Sequence, residues 1–306
     1  MDTTGSVRRP RSPRRLALVL GGLLIGCTPP GGEPSGTQAL PVAVSVPPLA
    51  DVVEAIGGDG VGVVIALPPG RDPHSFEVSP RRAAALETAR LVVTVGSAAL
   101  PWEELLTGSK APVRLVLGTS NTRATGTGSP GTSSSGSGPP ETGAADLHRW
   151  LDLTEVEETI DPLVLALAEL DPGNRDRYRS RAERFRNRVT KLRAEVDGLL
   201  RPWRGAVYFV DHGAWSPLTR PRGLVERALA EGHREATPAT LARRIEEARR
   251  IGTTTLFVRP GRLSGAAESF LEATGARPVV LDPLARPWEE TIRTAAGSIA
   301  EALRGR

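Results

Sequence analysis

Apolar positions in this chain follow two alternating rhythms. Short continuous runs, "PVAVSVP" at 41–47, "VGVVIAL" at 61–67, "LVVTVG" at 91–96 and "PVRLVLG" at 112–118, read as strands buried on both faces. Between the first three lie "LADVVEAIGG", closed by glycine, and "PRRAAALETA" from residue 80, both spaced as helices. Strands alternating with helices predict a mostly parallel sheet covered on both sides.

Helical spacing resumes near Glu155, and one long helix is predicted over 174–201. In it Tyr178, Phe185, Val189, Leu192, Val196 and Leu199 recur three, four or seven residues apart, with arginines opposite. Such a helix is about 42 Å long at 1.5 Å per residue. The alternation then restarts, with strands at 206–211, 254–260 and 278–284 and helices at 237–251, 266–275 and 287–304. The predicted fold class is α/β, with two lobes of mostly parallel sheet joined by one long backbone helix. The lobes span 41–173 and 202–306, and the cleft between them is a natural ligand site.

Two segments break the pattern. Residues 119–143, "TSNTRATGTGSPGTSSSGSGPPETG", cannot build a core and are expected to form a mobile surface loop. At the N-terminus, "RRPRSPRRLALVLGGLLIGCTPP" is a basic stretch followed by apolar or glycine residues at 16–26 and then Cys27. That run is about half the ~20 residues needed to span a bilayer and fits an export signal. Leu24-Ile25-Gly26-Cys27 resembles the bacterial lipobox, which implies a signal peptide over 1–27 and lipid attachment at Cys27. A plain secretory signal with an incidental cysteine is the alternative. Cys27 is the single cysteine, so no intrachain disulfide is available. Residues 28–40, rich in Pro, Gly and small polar residues, read as a flexible tether. The chain is therefore expected outside the cytoplasm, held to a membrane by its acyl anchor.

Charge narrows the partner class. The net charge of +4 arises at the N-terminus, where residues 1–27 hold five of the 39 bases and one of the 35 acids. The remaining 34 bases and 34 acids balance, so nucleic acid is not an expected partner.

Of four histidines, three fall at element junctions facing the proposed cleft. His74 sits in "PPGRDPHSFEVSP" after a strand, His148 in "ADLHRWLD" before a helix, and His212 in "YFVDHGAW" after the first strand of the second lobe. Asp282, in "PVVLDPL", occupies a matching strand end. Three neutral imidazoles and a carboxylate suit four-coordinate Zn²⁺. Placement alone leaves the plainer reading open: solvated loop histidines, and an aspartate that begins a turn. His233, in "AEGHREATP", reads as a surface or supporting residue, and Trp150 and Trp215 as packing groups. No HExxH helix is present, and a carboxylate in the fourth position would close the site to a catalytic water. An enzyme is not expected.

The segment from "VSVPPLADVVEAIGG" to "LVVTVG" resembles the opening lobe of the zinc/manganese solute-binding proteins of bacterial ABC importers, the TroA-like (cluster A-I) lipoproteins. "DLHRWLD" is similar to their Asp-Pro-His-x-Trp-Leu-Asp signature, with leucine for proline. "LAELDPGNRDRYRSRAERF" resembles the start of their backbone helix, and "YFVDHGAWSPL" and "VVLDPL" resemble the two second-lobe signatures. The likeness runs from about residue 41 to the C-terminus. It implies His74, His148, His212 and Asp282 as ligands of a carried ion, an ABC permease and its ATPase as partners, and a monomer. A histidine at 212 implies Zn²⁺, where a glutamate would imply Mn²⁺; a metal-containing adhesin is a further possibility. Two departures stand out: the 119–143 loop carries no histidine, so a metal-collecting role is not expected of it, and the usual Glu-Pro-Ser stretch reads "EAT" at 235–237.

Overall fold

The computed structural model describes residues 1, 39–96, 100–107, 111, 113–118, 147–230 and 236–305. Cys27, the 119–143 loop and His233 lie outside them.

The first lobe is built from β1 (Leu40–Val44), α1 (Pro47–Gly57), β2 (Val61–Ile65), α2 (Pro80–Leu86), β3 (Leu91–Thr94), α3 (Glu103–Thr107), β4 (Val113–Val116) and α4 (Leu153–Leu170). Then come α5 (Arg175–Leu200), β5 (Val207–His212), α6 (Ser216–Thr219), β6 (Val225–Ala230), α7 (Pro238–Ile251), β7 (Thr255–Val258), α8 (Gly265–Thr274), β8 (Arg277–Val280) and α9 (Trp288–Arg304). The two sheets share one topology, β2-β1-β3-β4 and β6-β5-β7-β8, with every pair parallel. In each, the chain order reverses beside the first strand. Ligands of open α/β sheets collect at that point, beyond the carboxyl ends of the strands.

The apolar runs of the central strands form because both faces are covered: Val42 and Val44 on one face of β1 and Ala43 on the other are all buried, as are Leu91, Val92 and Val93 of β3, whereas the edge strand β2 leaves Val64 exposed. The α5 stripe follows its predicted spacing up to Val196; at its end Leu200 is buried and the expected Leu199 is only half-buried. Tyr178, Ala182, Phe185, Val189, Leu192, Val196 and Leu200 are buried, and the helix packs against α1 and α4 of the first lobe and α9 of the second. At 26 residues it is roughly 39 Å long. Its arginine face is paired outward, Arg186 to Asp161 at 2.6 Å, Arg188 to Glu289 at 2.8 Å, and Arg181 to Asp59. Exposed pairs of this kind contribute about 0–1 kcal/mol each, so burial of the stripe dominates.

One strand escapes the apolar-run rule. β6 reads "VERALA" and lies at a sheet edge, where Glu226 and Arg227 are both accommodated. Glu226 accepts from the Tyr208 hydroxyl at 2.9 Å and the Trp215 amide at 2.8 Å, while Arg227 pairs with Glu247 at 3.1 Å. Fixed partners replace the apolar side chains that the sequence pattern requires. The strand predicted at 278–284 ends at Val280, which leaves Asp282 just past a strand end.

Candidate metal centre

Local chemistry seats each histidine. His74 lies in the loop between β2 and α2, where Gly70 takes a left-handed φ of +72°. The Trp102 indole donates to the Pro73 carbonyl at 2.7 Å, and Phe76 meets Trp102 edge to face at 5.0 Å. Asp72 Oδ1 accepts from the His74 amide at 2.9 Å, closing a tight turn around the histidine.

His148 precedes a single 3₁₀ turn, Arg149–Leu151, closed by Leu151 N donating to the His148 carbonyl at 2.8 Å. Asp152 then caps α4 by accepting from Thr154 N at 2.8 Å. Arg149 ties the turn to the first sheet, donating to the Val95 carbonyl at 2.9 Å and pairing with Glu155 at 2.6 Å. Val95 is itself held, because buried Glu103 accepts from the amides of Val95 and Gly96 at 2.9 and 2.8 Å. Gly96 has φ +74°, and a Cβ there would fall 2.1 Å from Val116 Cγ1, so this corner requires glycine.

His212 is the last residue of β5, registered against Ala230 of β6. Its neighbour Asp211 accepts from the Ser264 hydroxyl at 2.6 Å, and Ser264 in turn caps α8.

These elements bring the three imidazoles together. His74 Nε2 and His212 Nε2 are 3.1 Å apart, and one nitrogen from each of His74, His148 and His212 lies within 4.8 Å of the others. Donors bound tetrahedrally at 2.0–2.1 Å sit about 3.3 Å apart, so little contraction would bring the trio onto one ion. The rings meet edge to face, with centroids 5.0–5.8 Å apart. His148 and His212 are buried, and His74 is partly so.

Asp282 stands outside that trio but lines the same cavity of about 640 Å³, along with His74, His148 and Asp211. Its Oδ1 accepts from Leu284 N at 2.9 Å. Trp150, besides packing 5.2 Å from the His148 ring, donates its indole N–H to Pro283 O at 2.7 Å. Thr237, of the "EAT" stretch, caps α7 by accepting from Thr240 N at 3.1 Å.

The electrostatics favour ligation. Burial, then the neighbouring His212, His74 and Arg259, hold the His148 imidazole well below its ordinary 6.5, despite an opposing pull from Asp72. His148 is thus neutral at physiological pH, the form that binds metal. For Asp72 burial acts upward, but the His74 amide and the Arg259 guanidinium outweigh it and hold the carboxyl below 3.8. The Arg259–Asp72 pair, 2.7 Å long, spans the two lobes. Sequence reasoning missed it, because an Asp before Pro reads as a turn residue and nothing local marks Arg259.

The family model for ZnuA, zinc-uptake complex component A periplasmic, matches residues 42–302. The chain belongs to this family. It is thus a zinc/manganese ABC solute-binding protein of the TroA kind, a metal-binding component of ABC metal uptake and not an enzyme. The high-affinity zinc uptake system protein ZnuA of Paracoccus denitrificans (strain Pd 1222) is 28% identical over 240 residues, covering 68% of this chain and 73% of its own. The manganese-binding lipoprotein MntA of Halalkalibacterium halodurans is 23% identical over 249 residues, covering 79% of this chain and 78% of its own. A crystal structure of ZnuA superposes with a TM-score of 0.74 at 30% identity, covering 87% of this chain and 99% of that one. The TroA-like fold, two parallel-sheet lobes on a long helix, is shared.

Proposed function

We propose that this chain captures Zn²⁺ in the interlobe cleft and delivers it to the permease and ATPase of an ABC importer. The observation that carries the reading is the convergence within 4.8 Å of three imidazole nitrogens, from His74 and His148 of the first lobe and His212 of the second. His74, His148 and His212 supply three donors, and Asp282, on the wall of the same cavity, supplies the fourth. Borderline-soft nitrogen donors favour Zn²⁺ over Mn²⁺, which sits lowest in the affinity order for divalent first-row metals. The Paracoccus relative is named for zinc and the Halalkalibacterium relative for manganese, so the choice of ion rests on this donor chemistry.

In this reading residues 1–27 are a signal peptide, Cys27 carries the lipid anchor, and 28–40 are the tether of an extracytoplasmic monomer. The long α5, packed on both lobes, limits closure to a modest movement. Release follows when the permease tilts the lobes and degrades the coordination geometry. Metal-free full chain titrated with Zn²⁺ and Mn²⁺ in competition with a chelator tests the proposal. One tightly bound Zn²⁺ and weaker Mn²⁺ are expected; tighter Mn²⁺ reverses the assignment. A chain that unfolds when stripped of metal would instead favour a structural ion in an adhesin-like protein.

A further inference from the structure

We propose that Arg259 is a positioning residue for the metal site, holding His74 in place across the cleft through Asp72. One carboxylate does both jobs. Asp72 Oδ1 accepts the His74 amide at 2.9 Å within the first lobe, while Oδ2 accepts from Arg259 Nη1 at 2.7 Å, just past β7 of the second lobe. Because the two oxygens belong to one rigid planar group, any lobe movement that withdraws Arg259 pulls on the turn that carries His74. The imidazole of that turn faces His212, again in the second lobe, at 3.1 Å. The first ligand is thus held to the opposite lobe by two routes, through the ion itself and through Asp72. Metal bonds of 2.0–2.1 Å leave little tolerance for displacement of a donor. Loss of the latch therefore speeds metal release without removing a ligand. This inference rests on the metal-capture reading above.

A second interlobe arginine supplies the control. Arg286 pairs with Asp51 at 2.6 Å and with Glu54, both on α1. It ties the second lobe to α1 through these two carboxylates.

The experiment loads the full chain with Zn²⁺ and measures release into excess chelator by stopped flow. The Arg259–Asp72 side chains are 40% and 35% exposed, so Arg259→Ala is expected to accelerate release by roughly two- to fivefold. Zinc stoichiometry and helicity should be unchanged. Asp72→Asn keeps an acceptor for the His74 amide but loses the charge, and should match Arg259→Ala; the double variant should release no faster than either single one. Arg259→Lys should recover most of the wild-type rate, and Arg286→Ala, which breaks an interlobe tie outside the Asp72 turn, should accelerate release less than Arg259→Ala does. The latch is overturned if Arg259→Ala releases at the wild-type rate, if the two single effects add, or if Arg286→Ala accelerates release equally. A wild-type chain that binds no Zn²⁺ sinks the capture reading and the latch together, whereas normal binding with an unchanged Arg259→Ala rate sinks the latch alone.

Discussion

The indole N–H of Trp150 donates to the backbone carbonyl of Pro283 at 2.7 Å, joining the residue two past His148 to the residue after Asp282. Trp288 extends the chain by donating its own indole N–H to the Trp150 carbonyl at 2.7 Å. The tryptophan of one histidine-bearing motif thus holds the aspartate-bearing motif of the other lobe. Trp150 is 1% exposed, so its polar atom needs a partner inside the protein. Trp150→Phe removes the donor and leaves the Pro283 carbonyl without it, at a cost of about 1–3 kcal/mol. Urea unfolding of the metal-free protein should show the loss; an unchanged midpoint would mean the bond contributes nothing.

Removal of a ligand should differ in scale from removal of a support. Changes in groups that merely orient ligands typically cost about 10–100-fold in metal affinity. His212→Ala, which deletes one of three converging nitrogens, should exceed that range in a Zn²⁺ competition titration. Asp282→Asn keeps an acceptor for Leu284 N but not the anionic donor, so it separates ligation from turn formation. As a fourth ligand, it should weaken Zn²⁺ by at least about tenfold. Wild-type affinity in Asp282→Asn would remove Asp282 from the donor set.

Acid should weaken the metal-free fold through His148. Its folded imidazole pKa is depressed well below the 6.5 of an ordinary histidine, first by burial and then by the neighbouring His212, His74 and Arg259. Between those two values the unfolded chain binds the proton and the folded chain does not. The contribution is therefore fully present above about pH 6.5 and is lost as pH falls from there toward the folded value. Urea midpoints measured between about pH 7.5 and pH 5 should fall more steeply for wild type than for His148→Gln. Zinc affinity should fall over the same range, because protons compete for the imidazoles.

The backbone helix should answer to its buried stripe rather than to its ion pairs. Phe185, 1% exposed, lies with its ring centroid 6.2 Å from that of Trp288 on α9, and the Arg188 guanidinium sits 5.2 Å above it. Phe185→Ala should cost about 3–5 kcal/mol, a large part of the 5–15 kcal/mol typical of a folded domain. Arg186→Ala, which breaks an exposed pair with Asp161, should cost less than about 1 kcal/mol. Paired urea titrations check the contrast, and equal losses would contradict it.

The amino-acid sequence determined the elements whose signals are local. Continuous apolar runs marked β1, β3 and β5, because strands covered on both faces need no polar side; the same kind of run marked the edge strand β2, although its Val64 is exposed. The spacing of Tyr178, Phe185, Val189, Leu192 and Val196 marked α5, because a helix packed along one side repeats every 3.6 residues. Histidines at junctions between elements marked a candidate site, since loops beyond a sheet's carboxyl edge carry ligands. What lacked a local signal came only with the tertiary structure. β6 was hidden because Glu226 and Arg227 are satisfied by residues from other elements, not by an apolar face. The short separation of His74 from His212 depends on how two sheets are held on one helix, which no periodicity encodes. Asp72, Arg259 and the Trp150–Pro283 bond were silent for the same reason: a hydrogen bond between residues 133 or 187 positions apart leaves no pattern in either neighbourhood, and only the packed chain pairs them.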